Sequence, residues 1–481
     1  GLAPVLDVVV DPRWGRVDEC IAEDPYVVGT IGTAYVQGLQ RAGVHATLKH
    51  FAGYSASRAG RNHAPVHAGP RFLADTVLPP FEMAVRTGGV RSVMNSYAEI
   101  DGMPVAADPD LLTGVLREQW GFDGTVVADY FAVAFLHTMH GVAADLGEAA
   151  ALALQAGIDV ELPTGDAFLG PLRERLATHP DELALVDRAV RRVLAQKEEL
   201  GLLDAAFDDP PTTVDLDSPA HRELARRTAE ESIVLLSNDG TLPLKLDGTP
   251  TIAVIGPNHA IARLGGYSSV PRQTVSLLEG MQQKIGNRAR IVSAQGVFIT
   301  QSEDRSVDEV LLADPAKNRE LIKLAVAVAR DADIIVLAIG DTEQTSREGF
   351  AKNHLGDRTD IDLVGEQNDL FDALRALGKP VVVTAINGRP PSWPNVAEHA
   401  NAILECWYPG QEGGTAMAAA LLGEVNPGAK LPVTVVRNAG QVPSFYNHKP
   451  SARRGYLFDD ESPGAGGPQR LHRRGRCPSR I

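Results

Sequence analysis

Thr125-Val126-Val127-Ala128-Asp129-Tyr130 is the stretch whose reading decides the fold. It follows Trp120-Gly121-Phe122-Asp123-Gly124, a glycine- and aspartate-rich turn signal. The apolar run reads as a buried strand, and that strand ends on a carboxylate. In a barrel of parallel strands, the C-terminal strand ends carry the chemistry. Taken alone, Asp129 reads more readily as the cap of the next helix. Its neighbours along the chain shift the balance.

Working outward, strand-like runs at 2–9, 46–51, 91–97 and 158–162 alternate with helical stretches at about 23–43, 108–120, 148–156 and 181–200. Pro79-Pro80-Phe81 marks a further helix. Such alternation implies parallel strands. Several of these strands end on polar residues: Lys49-His50, Asn95-Ser96-Tyr97 and Asp129. Between them, residues 53–70 form a long polar loop with Arg58, Arg61, His63 and His67; loops of this length are often functional. For each histidine, a surface role is the better default. A complete barrel needs about 250 residues, so the part before Pro210 is expected to be a barrel lacking its first strands.

Asp208-Asp209-Pro210-Pro211 opens a linker. Beyond it come a helix at 221–233, apolar strands at 234–236, 251–256, 334–340, 381–386 and 402–404, and a helix at 321–331. This pattern predicts a parallel sheet covered on both faces. Gly256-Pro257 and Leu264-Gly265-Gly266-Tyr267 are glycine turns without the spacing of a nucleotide loop. After the 334–340 strand runs the polar loop Asp341-Thr342-Glu343-Gln344-Thr345-Ser346-Arg347-Glu348-Gly349, continuing through Lys352, His354 and Gly356-Asp357-Arg358. Open sheets place ligands at such strand ends.

The predicted architecture is therefore α/β: an incomplete TIM-type (β/α) barrel followed by an α/β/α sandwich. The boundaries are 1–205 for the partial barrel, 206–220 for the linker, 221–445 for the sandwich and 446–481 for a C-terminal segment. From about 461 that segment is glycine, proline and arginine, too apolar-poor to pack.

With 481 residues, two or three domains are expected. A net charge of −15 spread along the chain argues against a nucleic-acid partner. No apolar run is long enough to span a membrane. Cys20, Cys406 and Cys477 lack the spacing of a disulfide framework or zinc site. The chain starts at Gly1 without a methionine, which leaves cytoplasmic and secreted locations open; the sequence also leaves a homo-oligomer open.

Polar strand ends in a barrel, with a carboxylate loop from a second domain, suit glycoside cleavage. That reaction needs one carboxyl to attack the anomeric carbon and another to protonate the leaving oxygen, about 5–5.5 Å apart. Arg16, Lys49 and His50 can bind sugar hydroxyls and keep Asp129 ionised. Trp14 or Tyr130 can wall a ring face.

Five spaced segments now align with one family. Ala3-Pro4-Val5-Leu6-Asp7 with Asp11-Pro12-Arg13-Trp14-Gly15-Arg16, Glu23-Asp24-Pro25, Lys49-His50-Phe51, Met94-Asn95-Ser96-Tyr97 and residues 124–130 resemble glycoside hydrolase family 3, in order, and the likeness runs to about Asp460. The resemblance implies a retaining exo-acting β-glycosidase, mostly a β-glucosidase or β-xylosidase, acting on a small oligosaccharide or an aryl or alkyl glycoside. It implies Asp129 as nucleophile, Arg16, Lys49, His50, Met94 and Tyr97 as sugar-binding residues, and no need of a metal or organic cofactor. The family's acid/base glutamate lies in Ser-Gly-Glu-Gly before Gly-Asp-Arg. Ser346-Arg347-Glu348-Gly349 with Gly356-Asp357-Arg358 is similar, so Glu348 is assigned that role, with Glu343 second.

Departures from the family pattern are informative. Ala128 and Tyr130 replace the usual serine and the frequent tryptophan beside the nucleophile. Early strands, with an upstream sugar-binding aspartate, are expected to be missing, and the family's fibronectin-like domain is not expected after Asp460. The arginine-rich tail looks like a shifted reading frame or fragment end. Tyr130-Phe131-Ala132-Val133 resembles β-xylosidase-like members. An N-acetylhexosaminidase is disfavoured, because its Asp-Ser-His loop is lacking. The contrasting expectation is a catalytically silent sugar-binding fragment.

Overall fold

The computed structural model describes residues 1–204, 212–351, 353–447 and 449. Two compact units emerge, Gly1–Asp11 with Glu19–Pro211, and Pro12–Asp18 with Thr212–Ile481. The short piece Pro12–Asp18 thus leaves the barrel part and joins the second unit. The expected linker falls partly, and the expected unpacked stretch from 461 wholly, outside the described residues.

The first unit is an arc of a barrel. Strands β1 (Thr47–Phe51), β2 (Ser92–Asn95) and β3 (Thr125–Val127) pair in parallel and in sequence order. Val5 extends the arc by a parallel bridge to Lys49, and Val160 extends it by one to Val127. The outer two segments, expected as strands over 2–9 and 158–162, are thus single bridges. Pro4 and Pro163, flanking the bridges, carry no N–H to prolong a ladder. Helices α1 (Pro25–Arg41), α2 (Pro79–Arg86), α3 (Ala132–Thr138), α4 (Leu146–Ala156) and α5 (Leu183–Glu199) punctuate the arc. Asp24 caps α1, accepting from the Tyr26 and Val27 amides. Asp145 caps α4 through the Glu148 amide. The polar loop after β1 is packed rather than loose: Val66 donates to the Glu99 carbonyl and bridges Ile100.

The second unit is a three-layer sandwich. Its sheet comprises β4 (Val234–Asn238), β5 (Thr251–Ile255), β6 (Arg290–Ala294), β7 (Ile334–Gly340), β8 (Val381–Ile386) and β9 (Ala402–Glu405), in the order β4-β9-β8-β7-β5-β6. All neighbours are parallel except β4, which runs antiparallel to β9 at the edge. That direction and the half-exposed edge strand β6 were not anticipated; apolar runs carry no directional signal, and β6 has only a weak one.

Alternation along β7 sends Val336 and Ala338 to one face, and Ile335, Leu337 and Ile339 to the other. On the first face lie α6 (Pro219–Ser232), α7 (Leu277–Ile285) and α11 (Gly413–Leu421); on the second, α8 (Pro315–Ala329), α9 (Gln367–Arg375) and α10 (Pro394–His399). A capping box between Ser276 and Glu279 starts α7. Order reverses between β5 and β7, so loops leaving those strands flank the crevice where open sheets bind ligands.

Helices α7 and α11 touch backbone to backbone. A Cβ at Gly280 would lie 2.1 Å from the Gly414 carbonyl oxygen. Gly280→Ala is therefore expected to lower unfolding free energy by about 1–3 kcal/mol. Gly38→Ala, at an open position on α1, is expected to raise it by about 0.5–1 kcal/mol. Denaturant midpoints for the two variants check the contrast.

Candidate active site

In the barrel unit, the strand ends converge on Asp129. Tyr97 donates its phenol to Asp129 Oδ1 at 3.0 Å, and the Tyr130 amide donates to the same oxygen at 2.8 Å. The Asp129 amide donates to Asn95 Oδ1 at 3.3 Å. His50 Nε2 stands 3.5 Å from Asp129 Oδ2, while its Nδ1 lies 2.7 Å from Asp7 Oδ2. A wall of rings backs this group: Tyr54 meets His50 edge-on, and His63 and Phe135 pack on Tyr97. Three carboxyl-side ends, at Asp7, His50 and Asp129, thus form one buried polar row.

In the sandwich unit, the loop after β7 presents Glu348. Tyr267 donates its phenol to Glu348 Oε2 at 2.6 Å, and Arg16 Nη1 lies 3.5 Å from Oε1. The Arg16 guanidinium sits over the Tyr267 ring, 5.5 Å from its centre. Arg305 fixes the turn bearing Tyr267 through the carbonyls of Gly265, Gly266 and Ser268. Glu343 has a different environment. It is buried, accepts from the Leu264 amide at 2.8 Å and pairs with Arg263 at 3.0 Å, so both its oxygens are held in the interior.

Arg389, 1% exposed, anchors the surroundings of Glu348. It donates to the carbonyls of Arg13 at 2.9 Å and Thr345 at 2.8 Å, and to those of Pro12 and Gly356. Gly15 packs so tightly here that a Cβ would fall 1.9 Å from the Arg347 carbonyl oxygen. The Gly15 amide donates to Asp357 at 3.2 Å. Behind the loop, burial pushes the Asp341 carboxyl up, against the pull of Arg389 and Arg358. His354 is pushed down to about 4 by burial, with Arg347 adding to the effect, and is neutral at pH 7.

Of the sequence-predicted residues, His50, Tyr97 and Asp129 come together in the barrel unit, where Lys49 lies in β1 and buried Met94 in β2. Arg16 instead joins Glu348 in the sandwich unit. Trp14 is buried, so the wall expected of it is not an open ring face; Tyr130 is exposed. Asp7, Asn95, Tyr267 and Arg389 were missed as site residues. The first two stood inside quoted motifs, but nothing in the spacing says that Asp7 meets His50. Tyr267 carries no signal in the sequence beyond its place in a glycine turn.

Residues 1–196 match the family model described as the glycosyl hydrolase family 3 N terminal domain, and residues 233–464 match that of the C-terminal domain. A Beta-xylosidase of Formosa agariphila is 38% identical across 96% of this chain and 65% of its own length. The Periplasmic beta-glucosidase of Salmonella typhimurium is 35% identical across 94% of this chain and 60% of its own. Among solved structures, a β-glucosidase from Erythrobacter marinus superposes with a TM-score of 0.91 at 44% identity, covering 96% of this chain and 64% of that one. A β-glucosidase from Listeria innocua in complex with glucose gives 0.84 at 30%, covering 98% and 64%. The chain therefore spans just under two thirds of the length of these relatives.

At the end of β9, Glu405 is fully buried, and burial pushes its carboxyl up to about 8 from an ordinary 4.5. The folded state therefore holds a proton that the unfolded state has lost, and stability falls as pH rises from about 4.5 to about 8. Glu405→Gln should flatten that slope; unfolding midpoints at pH 5, 7 and 8.5 test it, and an unchanged slope would refute it.

Proposed function

We infer the activity from one premise: the chain belongs to glycosyl hydrolase family 3. Its two-domain architecture is that of the family, a barrel-like domain followed by a sheet domain. On this premise the chain carries the chemistry of a retaining exo-acting β-glycosidase that removes terminal non-reducing β-D-glucosyl residues from oligosaccharides or simple glycosides.

Asp129 attacks the anomeric carbon, and the glycosidic C–O bond breaks as Glu348 gives its proton to the departing oxygen. Glu348, now ionised, takes a proton from water, and the resulting hydroxide displaces Asp129 from the sugar. Chain and substrate end with one glycosidic bond exchanged for water and no net change in protein protonation. Arg16, Lys49, His50, Met94 and Tyr97 hold the sugar.

The observation that carries this proposal is the setting of Asp129. It is a buried carboxylate at a parallel strand end, oriented through Oδ1 by a phenol and an amide, with an imidazole beside Oδ2. For the acid/base, the contrast between interior Glu343 and Glu348, whose phenolic partner Tyr267 is 67% exposed, favours Glu348.

β-Xylosidase activity is the second reading, favoured by the Formosa agariphila relative and by Tyr130-Phe131-Ala132-Val133. A pentose lacks only the hydroxymethyl group.

Hydrolysis of nitrophenyl β-glucoside and β-xyloside decides between the sugars. Asp129→Asn should lower kcat/KM by roughly 10⁴-fold or more. Glu348→Gln should spare aryl glycosides with good leaving groups more than alkyl ones, and a bell-shaped pH profile is expected. An inactive parent that still binds glucose would point to a silent sugar-binding chain.

A further inference from the structure

Asp7 is buried at the end of the first barrel segment and has no part in the mechanism above. Its Oδ2 accepts twice from one residue, from the His50 amide at 3.1 Å and from ring Nδ1 at 2.7 Å. The opposite ring nitrogen, Nε2, lies 3.5 Å from Asp129 Oδ2. Asp7, His50 and Asp129 are 2%, 1% and 7% exposed.

An ionised carboxylate only accepts, so the Asp7 contact places a proton on Nδ1. In neutral imidazole Nε2 would then hold a lone pair aimed at a carboxylate oxygen. Only the imidazolium offers a donor to both sides, and two nearby carboxylates favour that cation, though burial opposes it. Groups facing this row among the described residues include Tyr54, edge-on to His50 at 5.0 Å, Tyr97 and Asn95 on Asp129, and His63 against both tyrosines. Lys49 precedes His50 in the strand. Among the described residues, the contact that holds Nδ1 is the one to Asp7.

We propose that Asp7 is a positioning residue: it keeps His50 as an imidazolium, and through that cation keeps Asp129 ionised and oriented at low pH. This rests on Asp129 being the nucleophile. The buried row extends the working range toward acid. If Asp7 loses its charge, His50 deprotonates, the cation beside Asp129 disappears, and Asp129 becomes easier to protonate.

The test uses the full chain labelled with ¹⁵N-histidine, with His50→Gln to assign the His50 signals. In the parent, both His50 nitrogens should keep imidazolium shifts at least about one pH unit above the ordinary value near 6.5. In Asp7→Asn, which keeps size and an acceptor, His50 should titrate below that value. The acid limb of kcat/KM should move up by about one pH unit, and kcat/KM at pH 5 should fall about tenfold. A purely structural role would lower the unfolding midpoint without moving the limb. Neutral His50 at pH 7 in the parent overturns the proposal, as does an unmoved limb in a folded Asp7→Asn. If Asp7→Asn does not fold, the parent titration decides alone. A parent without turnover sinks the nucleophile assignment, while the His50 titration still reports on Asp7.

Discussion

One buried guanidinium, that of Arg389, is the constraint on which the Glu348 loop of the sandwich unit depends. It leaves the end of β8 and satisfies carbonyls from three separate stretches: Pro12-Arg13, Thr345 and Gly356. Without it the carbonyls of Pro12, Thr345 and Gly356 would lose a donor, at a cost of about 1–3 kcal/mol apiece, whereas the Arg13 carbonyl also accepts from the Arg358 amide at 3.2 Å. Arg389 therefore fixes the backbone on both sides of Glu348 and on the approach to Arg16. This also explains why Pro12–Asp18 groups with the second unit although it follows the first barrel segment in sequence. Gly15 and Gly356 are part of the same solution, since each packs against the Arg347 carbonyl at distances no Cβ could tolerate.

Both units follow one rule. Parallel strands put their apolar side chains into layers and leave polar groups at their carboxyl ends. In the barrel arc these are Asp7, His50, Asn95 and Asp129, linked by short contacts. In the sandwich they are Asp341, Asn387 and Glu405 at the ends of three adjacent strands, together with the loop that bears Glu348. The chemistry differs in how charge is handled. In the barrel, carboxylates alternate with an imidazole. In the sandwich, Glu343 is neutralised by Arg263, whereas Glu405 is so deeply buried that it keeps its proton.

Much of this was legible without coordinates. Apolar runs such as Ile334–Gly340 and Val381–Ile386 lie within the ranges expected, because burial on both faces selects β-branched and aliphatic residues at every position. The helices beginning after Asp24 and Asp145 carry their own start signals. Strand β6 escaped because none of its side chains is fully buried, and the reversed direction of β4 has no local cause that composition could reveal.

What the sequence determined by itself is therefore the alternation of strands and helices, the polar residues at strand ends and the motifs that tie the chain to its family. All of these depend on near neighbours in the chain, through burial period, caps and turn residues. Tertiary structure alone decided which polar groups meet. Asp7 reaches His50 across 43 positions, Tyr97 reaches Asp129 across 32, and Tyr267 reaches Glu348 across 81. Such partners are set by strand order and loop closure, and no spacing rule along the chain encodes them.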